Sequence, residues 1–277
     1  MNKEILEEII EWAETEDAIR SLILVGSRAI DGEADELSDY DVSVFCTSNA
    51  PFVESDQWQS KIGGVWVCLP LTVSYNDQEY PTRLIIYEPG VKVDFAFYST
   101  DVLKEIAQSD LLPQMYNAGY KVLLDKDGVA QKMPNATGKI NRTPPSEKEF
   151  QALIEEFWFE AYHVAKYLKR GDLWSVKFRM SWIYDLLLKI IEWNQQAKHG
   201  WNYQTYHLGK NMRTWVEPST WEELQSCYAH FDSEDSWNAL NRTLSLFIRL
   251  SRETAEVLKY GYPSDVEQHL SKFIQNS

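Results

Sequence analysis

The spacing of apolar residues changes from a strand period to a helix period near the middle of the chain. In the first half, residues such as Val93 and Phe95 alternate with others, and a period of two is typical of β-strands. In the second half, apolar residues recur every three or four positions, as in α-helices. The proline-containing stretch 131–146 separates the two patterns like an interdomain linker. We therefore predict an α+β fold, with a sheet domain over 1–135 and a helical bundle over 146–277.

Turn, cap and breaker residues divide each half into elements. Glu88-Pro89-Gly90 predicts a turn before one strand, and Gly171 predicts a break between two long helices. Strands are predicted over 21–25, 39–46, 65–73, 82–87, 91–98 and 120–124. Helices are predicted over 3–14 and 100–108 in the first half, and over 150–168, 173–190, 205–215, 219–230, 237–258 and 264–274 in the second.

The charge of the chain limits its partners. Its 277 residues carry a formal net charge of -15, with a pI of about 4.8. Such a field repels nucleic acids and anionic membranes and attracts cationic small molecules, although acidity also serves solubility alone. With no basic stripe in the sequence, we predict no nucleic-acid partner.

The cysteines and the apolar runs indicate the compartment. Three cysteines lie far apart without metal-ligand spacing, which is typical of a reducing cytoplasm. The acidic N-terminal stretch does not resemble a signal peptide, and no apolar run approaches the roughly 20 residues that cross a bilayer. We therefore predict a cytoplasmic protein without a membrane partner.

A glycine-serine turn and a pair of aspartates mark the first candidate site. Gly26 and Ser27 follow an apolar run, and such a turn can direct backbone N–H groups and a hydroxyl toward a phosphate. Asp39 and Asp41 open the next strand and should share one face. Two carboxylates held together repel each other, which favours binding of a proton or a divalent cation. Each feature alone could also be an ordinary strand end or turn.

Asp94 is a third carboxylate in an unusual place. It lies inside an apolar strand between Val93 and Phe95, where a charge is costly unless it is paired or bound to a metal. Lys92 lies on the same face, so a simple Lys92–Asp94 salt bridge is the alternative explanation.

Together these residues predict a nucleotidyl transfer site. Asp39, Asp41 and Asp94 offer oxygen ligands to two Mg²⁺ ions, and nucleotide phosphates would complete the metal shells. Two such ions about 3.5–4 Å apart can stabilise an in-line displacement at phosphorus. Asp94 would also accept the proton of the attacking hydroxyl.

The same residues carry a resemblance to a known family. The pattern of Gly26-Ser27, Asp39-Tyr40-Asp41 and Asp94 resembles the active site of the DNA polymerase beta-like nucleotidyltransferase superfamily. More narrowly, the chain is similar to the aminoglycoside 6-adenylyltransferases, also called streptomycin adenylyltransferases. The stretches that carry this narrower similarity are Gly26-Ser27-Arg28-Ala29, Asp39-Tyr40-Asp41, Val93-Asp94-Phe95, Leu124-Asp125-Lys126-Asp127-Gly128, Glu156-Phe157-Trp158 and Gly209-Lys210-Asn211.

The resemblance implies a mixed sheet with flanking helices, a helical substrate-binding domain and an enzyme that uses ATP and Mg²⁺. AMP would pass to a hydroxyl of streptomycin or a related cationic aminoglycoside, which would inactivate the antibiotic. Lys210 would join Gly26 and Ser27 as a triphosphate ligand, with Arg28 as a weaker candidate, although an ordinary surface lysine is an equal alternative for Lys210. The sequence departs from the family pattern at Ile30 and at Arg213.

Two other functions are compatible with the same residues. The same chemistry could act on another hydroxyl, such as that of a lincosamide or a protein. Alternatively, the chain could bind a nucleotide without turnover, although the presence of all three carboxylates favours an enzyme.

Overall fold

We describe the protein from a computed structural model covering residues 2–138 and 142–275. The chain divides into two compact units, Met1–Ile140 and Asn141–Ser277. The first is built on a mixed sheet and the second is helical, so the predicted α+β fold is confirmed. Within the described residues, no helix is long and apolar enough to span a membrane.

The first unit contains a six-stranded sheet with the order β3-β4-β5-β2-β1-β6. Its strands are β1 (Ile19–Val25), β2 (Tyr40–Cys46), β3 (Val65–Tyr75), β4 (Gln78–Tyr87), β5 (Val91–Ser99) and β6 (Lys121–Asp125). Neighbouring strands run antiparallel except β2 and β5, which are parallel. Asn76 and Asp77 both have positive φ and form the tight turn that joins β3 to β4, so these two strands are a hairpin longer than predicted.

Each face of this sheet has its own apolar core. On one face, Trp12 of α1 (Asn2–Thr15) packs with Phe95 and Phe97 of β5. The other face carries Phe45 and Tyr98, whose rings stack at 5.6 Å. Three short helices flank the sheet: α2 (Ala50–Val53), α3 (Thr100–Gln108) and α4 (Gln114–Ala118). Because residues alternate along β5, Asp94 lies on the same face as Tyr98 and on the face opposite Phe95 and Phe97.

The second unit is organised around three long helices. They are α5 (Glu147–Arg170), α6 (Leu173–His199) and α8 (Ser233–Leu258). The shorter α7 (Pro218–Gln225) lies between α6 and α8 in the chain, and α9 (Ser264–Gln275) follows α8. A capping box between Ser146 and Glu149 begins α5, and Gly171 ends it in the left-handed conformation. Phe157 and Phe247 stack at 3.5 Å and join α5 to α8 in the core.

The helix predicted over 205–215 is wrong. The structure has two 3₁₀ turns there, His207–Gly209 and Met212–Thr214. Leu208, Gly209 and Asn211 have positive φ, which interrupts a right-handed helix, and the indole of Trp215 donates a hydrogen bond to the Lys210 carbonyl at 2.9 Å.

Candidate active site

The pairing of β2 with β5 brings two of the predicted carboxylates together. Asp41 and Asp94 are direct partners in the parallel register, and Val25, the last residue of β1, is the partner of Asp41 on the other side. Since adjacent strands lie about 4.8 Å apart, Asp41 and Asp94 project from one face as neighbours.

Asp39 joins this pair through a lysine. It lies one residue before β2, and its Oδ2 accepts a hydrogen bond from Lys92 Nζ at 2.8 Å. The same ammonium donates to Asp94 Oδ2, also at 2.8 Å. The Lys92–Asp94 salt bridge considered as the alternative explanation is therefore present. The sequence did not indicate that Lys92 also binds Asp39.

The carboxylates of Asp39, Asp41 and Asp94 repel one another. Burial, the largest cause, acts together with the charges of Asp94 and Asp39 to raise the pKa of Asp41 to about 6, while Lys92 acts in the opposite direction. One carboxylate oxygen of Asp94, Oδ1, is buried, and no hydrogen-bonding group among the described residues reaches it. A bound cation would stabilise the charged forms of Asp41 and Asp94.

The donor set suits a hard divalent cation. Asp39, Asp41 and Asp94 supply only oxygen, and the unpartnered Oδ1 of Asp94 is an available ligand atom. Nevertheless, in residues 2–138 and 142–275 no three acidic, histidine or cysteine side chains converge as a ready set of metal ligands. Here the Lys92 ammonium occupies the space between two of the carboxylates and balances their charge.

Gly26 fits so closely against Asp41 that an added Cβ would force either the turn or the carboxylate to move. Its backbone has φ 71° and ψ −162°, a region that is essentially restricted to glycine. A Cβ atom at this position would lie 2.2 Å from Asp41 Oδ2. The turn Ser27–Ala29 follows directly, so the predicted glycine-serine turn and the aspartates lie side by side.

Arg28 holds the connection that leads to β2. Its guanidinium donates to the carbonyls of Ser38 at 2.7 Å and Asp35 at 3.2 Å, and lies 4.2 Å from the centroid of the Tyr40 ring. These contacts fix the approach to Asp39. The role of Arg28 toward ATP stays a prediction.

Lys210 belongs to the second unit and is exposed. It lies among the positive-φ residues Leu208, Gly209 and Asn211, a concentration of unusual backbone conformations that is typical of functional segments. A Cβ at Gly209 would lie 2.9 Å from Met212 Cε, so this conformation is tightly packed. The role of Lys210 as a phosphate ligand also stays a prediction.

A cavity of about 410 Å³ opens beside the carboxylates in the first unit. Gly26, Asp41 and Asp94 are part of its lining. The remaining lining residues come from five strands and from α4: Val25, Val42, Ser43, Val73, Thr82, Ala96, Tyr98, Met115 and Ala118. The sequence did not indicate this cavity, because its walls meet only through strand pairing.

The chain is similar to known proteins over its whole length. A family model described as Streptomycin adenylyltransferase matches residues 1–277. An aminoglycoside 6-adenylyltransferase of Bacillus subtilis (strain 168) is 27% identical over 284 residues, covering 99% of this chain and 96% of that protein. One from Campylobacter jejuni is 27% identical over 273 residues, covering 94% of this chain and 90% of that protein.

The chain is also similar to a protein of known structure. The crystal structure of an aminoglycoside 6-adenyltransferase from Bacillus subtilis aligns with 99% of this chain and 96% of its own, at 23% identity and a TM-score of 0.47. Because the family model spans the whole sequence, the chain belongs to the streptomycin adenylyltransferase family and is a nucleotidyltransferase.

Proposed function

We propose that this enzyme transfers AMP from ATP to a hydroxyl of a streptomycin-type aminoglycoside, releases pyrophosphate and thereby inactivates the antibiotic. Membership of the family supports the reaction class. The observation that carries the proposal is the in-register pairing of Asp41 with Asp94 beside the Gly26 turn. This arrangement concentrates negative charge next to a turn suited to phosphate.

The three aspartates would bind metal and accept a proton at the reacting phosphorus. Asp39, Asp41 and Asp94 would hold Mg²⁺, with two ions as the expected number. Bound Mg²⁺ neutralises phosphate charge and aligns the attacking and leaving oxygens. Asp94 Oδ1, which is buried and without a hydrogen-bond partner among the described residues, would accept the proton of the acceptor hydroxyl.

The nucleotide and the acceptor need different partners. Backbone N–H groups at Gly26 and Ser27 would orient the triphosphate, with Arg28 and Lys210 as cationic ligands. We assign catalysis to a nucleotidyltransferase domain over 1–135 and acceptor binding to a helical domain over 146–277. A chain with a net charge of -15 attracts a polycation such as streptomycin.

A direct assay tests this function. The purified protein is incubated with ATP, MgCl₂ and streptomycin, and the products are examined by mass spectrometry. We expect an antibiotic heavier by one adenylyl group, one pyrophosphate per turnover, and no product when EDTA replaces MgCl₂. Parallel reactions with other aminoglycosides and a lincosamide identify the acceptor. Adenylylation of the lincosamide alone would contradict the acceptor class, and no adenylylation of any acceptor would contradict the proposed reaction.

Replacing Lys92 by methionine is expected to increase the stabilisation that Mg²⁺ gives the protein. Without the ammonium, Asp39 and Asp94 lose their shared counter-ion and repel Asp41 more strongly. Both ion pairs of Lys92 are partly exposed, so the free energy of unfolding of the metal-free protein should fall by only about 0–1 kcal/mol. Added Mg²⁺ relieves the larger repulsion, so the rise in melting temperature, measured by differential scanning fluorimetry, should exceed that of the wild type.

Lys104→Met is the matched control for this experiment. It removes an exposed Lys104–Asp101 pair of 2.8 Å on α3, away from the carboxylate cluster. Its Mg²⁺-dependent rise should equal that of the wild type. If the rise for Lys92→Met does not exceed the wild-type value, Mg²⁺ does not bind at these carboxylates.

A further inference from the structure

A threonine hydroxyl in the cavity has no hydrogen-bond partner among the residues that the structure describes. Thr82, on β4, is 9% exposed. Its Oγ1 atom is buried, and no donor or acceptor in the described part of the chain reaches it. The residue lines the cavity that also contains Asp41 and Asp94. Since buried hydroxyls are normally hydrogen-bonded, this atom is a candidate partner for a bound molecule.

The walls around Thr82 favour a flat, weakly polar group. Val73, Ala96, Met115 and the ring of Tyr98 supply apolar and aromatic surface. Such a volume, with few polar groups, is typical of small-molecule sites. Burying the cationic groups of an aminoglycoside against these walls would be costly, whereas an adenine ring has an extensive apolar face.

The distance from the carboxylates also suits a nucleoside. Thr82 is the direct partner of Ala96 on β5, and Asp94 lies two residues from Ala96 along that strand. Thr82 and Asp94 are therefore diagonal neighbours, roughly 7–8 Å apart. A phosphate bound at the carboxylates does not span this distance, but a ribose and base attached to it do.

The hydroxyl of Ser43, which also lines the cavity, already has a partner. Tyr116 donates a hydrogen bond to Ser43 Oγ at 3.0 Å. Among the described residues that line the cavity, the buried polar side-chain atoms without a partner are therefore Asp94 Oδ1 and Thr82 Oγ1. Asp94 Oδ1 belongs to the carboxylate cluster on β5, and Thr82 Oγ1 lies on the neighbouring strand β4.

We infer that this cavity binds the adenosine part of ATP and that the Thr82 hydroxyl forms a hydrogen bond to it. The inference rests on the proposed function, because it extends the same site from the reacting phosphate to the nucleoside. Thr82 would then be a binding residue that determines affinity for the nucleotide and does not contact the acceptor.

Thr82→Val tests the inference, because valine keeps the shape of the side chain and removes only the hydroxyl. Loss of one hydrogen bond should raise KM for ATP roughly three- to tenfold, with KM for streptomycin unchanged. The variant should also melt at the same or a higher temperature, because a buried unpaired hydroxyl destabilises a fold. Steady-state kinetics with each substrate varied in turn, together with thermal melting, provide these values.

Thr72→Val is the matched control. Thr72 lies on the neighbouring strand β3, is exposed and does not line the cavity. Both KM values should be unchanged by this substitution. An increase in KM for streptomycin alone in Thr82→Val would assign the cavity to the acceptor and overturn the inference, and so would two unchanged KM values.

A binding measurement separates this inference from the proposed function. Isothermal titration calorimetry with ATP and MgCl₂, without an acceptor, reports nucleotide binding even if no aminoglycoside is modified. Weaker ATP binding by Thr82→Val than by the wild type and Thr72→Val would support the cavity assignment when the transfer assay fails. Equal ATP binding by all three proteins would overturn the assignment whether or not transfer occurs.

Discussion

The Asp94→Asn protein is expected to fold and to bind ATP, but to transfer AMP at least about 10²–10⁴-fold more slowly than the wild type. Asparagine has nearly the size of aspartate, but its amide cannot accept the proton and carries no charge for a metal ion. Lys92 keeps Asp39 as an ionic partner, so the local structure should survive the substitution.

Three measurements on Asp94→Asn distinguish catalysis from folding. Transfer to streptomycin is followed by mass spectrometry, ATP binding by calorimetry and folding by thermal melting. Asp101→Asn is the control, because Asp101 lies on the surface at the start of α3 and pairs only with Lys104 among the described residues. Wild-type transfer by Asp94→Asn would exclude Asp94 as the base.

The Gly26→Ala protein is expected to lose activity by about 100-fold or more. The added Cβ would lie 2.2 Å from Asp41 Oδ2, so either the turn or the carboxylate must move. A displacement of about 1 Å in a positioned group can lower the rate by about 10²-fold. The unusual backbone of Gly26 adds a stability loss of roughly 1–3 kcal/mol.

Gly128→Ala separates the contact with Asp41 from the cost of the backbone. Gly128 also has positive φ, at 66°, but a Cβ there would have no neighbour within 4 Å. The Gly128→Ala protein should be less stable than the wild type but should transfer AMP at nearly the wild-type rate. The rates of Gly128→Ala and Gly26→Ala are measured under conditions in which both proteins are folded. Equal transfer by the two variants would show that the contact between Gly26 and Asp41 does not position the carboxylate.

The fold class could be predicted because its signals are local. Alternation at Val93, Phe95 and Phe97 records one buried face of β5, and burial of these residues explains why Asp94 lies on the other face. Strand pairing is not local. The sequence contained no signal that β2 pairs in parallel with β5, or that Asp41 and Asp94 are partners.

The site could be predicted only as far as residue types allow. Three carboxylates and a glycine-serine turn are visible in the sequence, but the second contact of Lys92 depends on tertiary structure. The sequence does not indicate Thr82 for the same reason, because only the folded structure shows whether a hydroxyl has a hydrogen-bond partner. The error at 205–215 arose because apolar spacing resembled a helix, whereas positive φ at Leu208 and Asn211 is incompatible with one.

The parallel pairing of β2 with β5 also determines when the site can exist during synthesis of the chain. The β1–β2 hairpin, with Gly26 and Asp41, is translated first, and the entire β3–β4 hairpin follows before Asp94 is made. Such a long-range contact closes late, since the chain must order a large loop before the pairing stabilises it. A nascent chain therefore presents only two of the three carboxylates, Asp39 and Asp41, until Asp94 is made, so the complete site cannot assist its early folding steps.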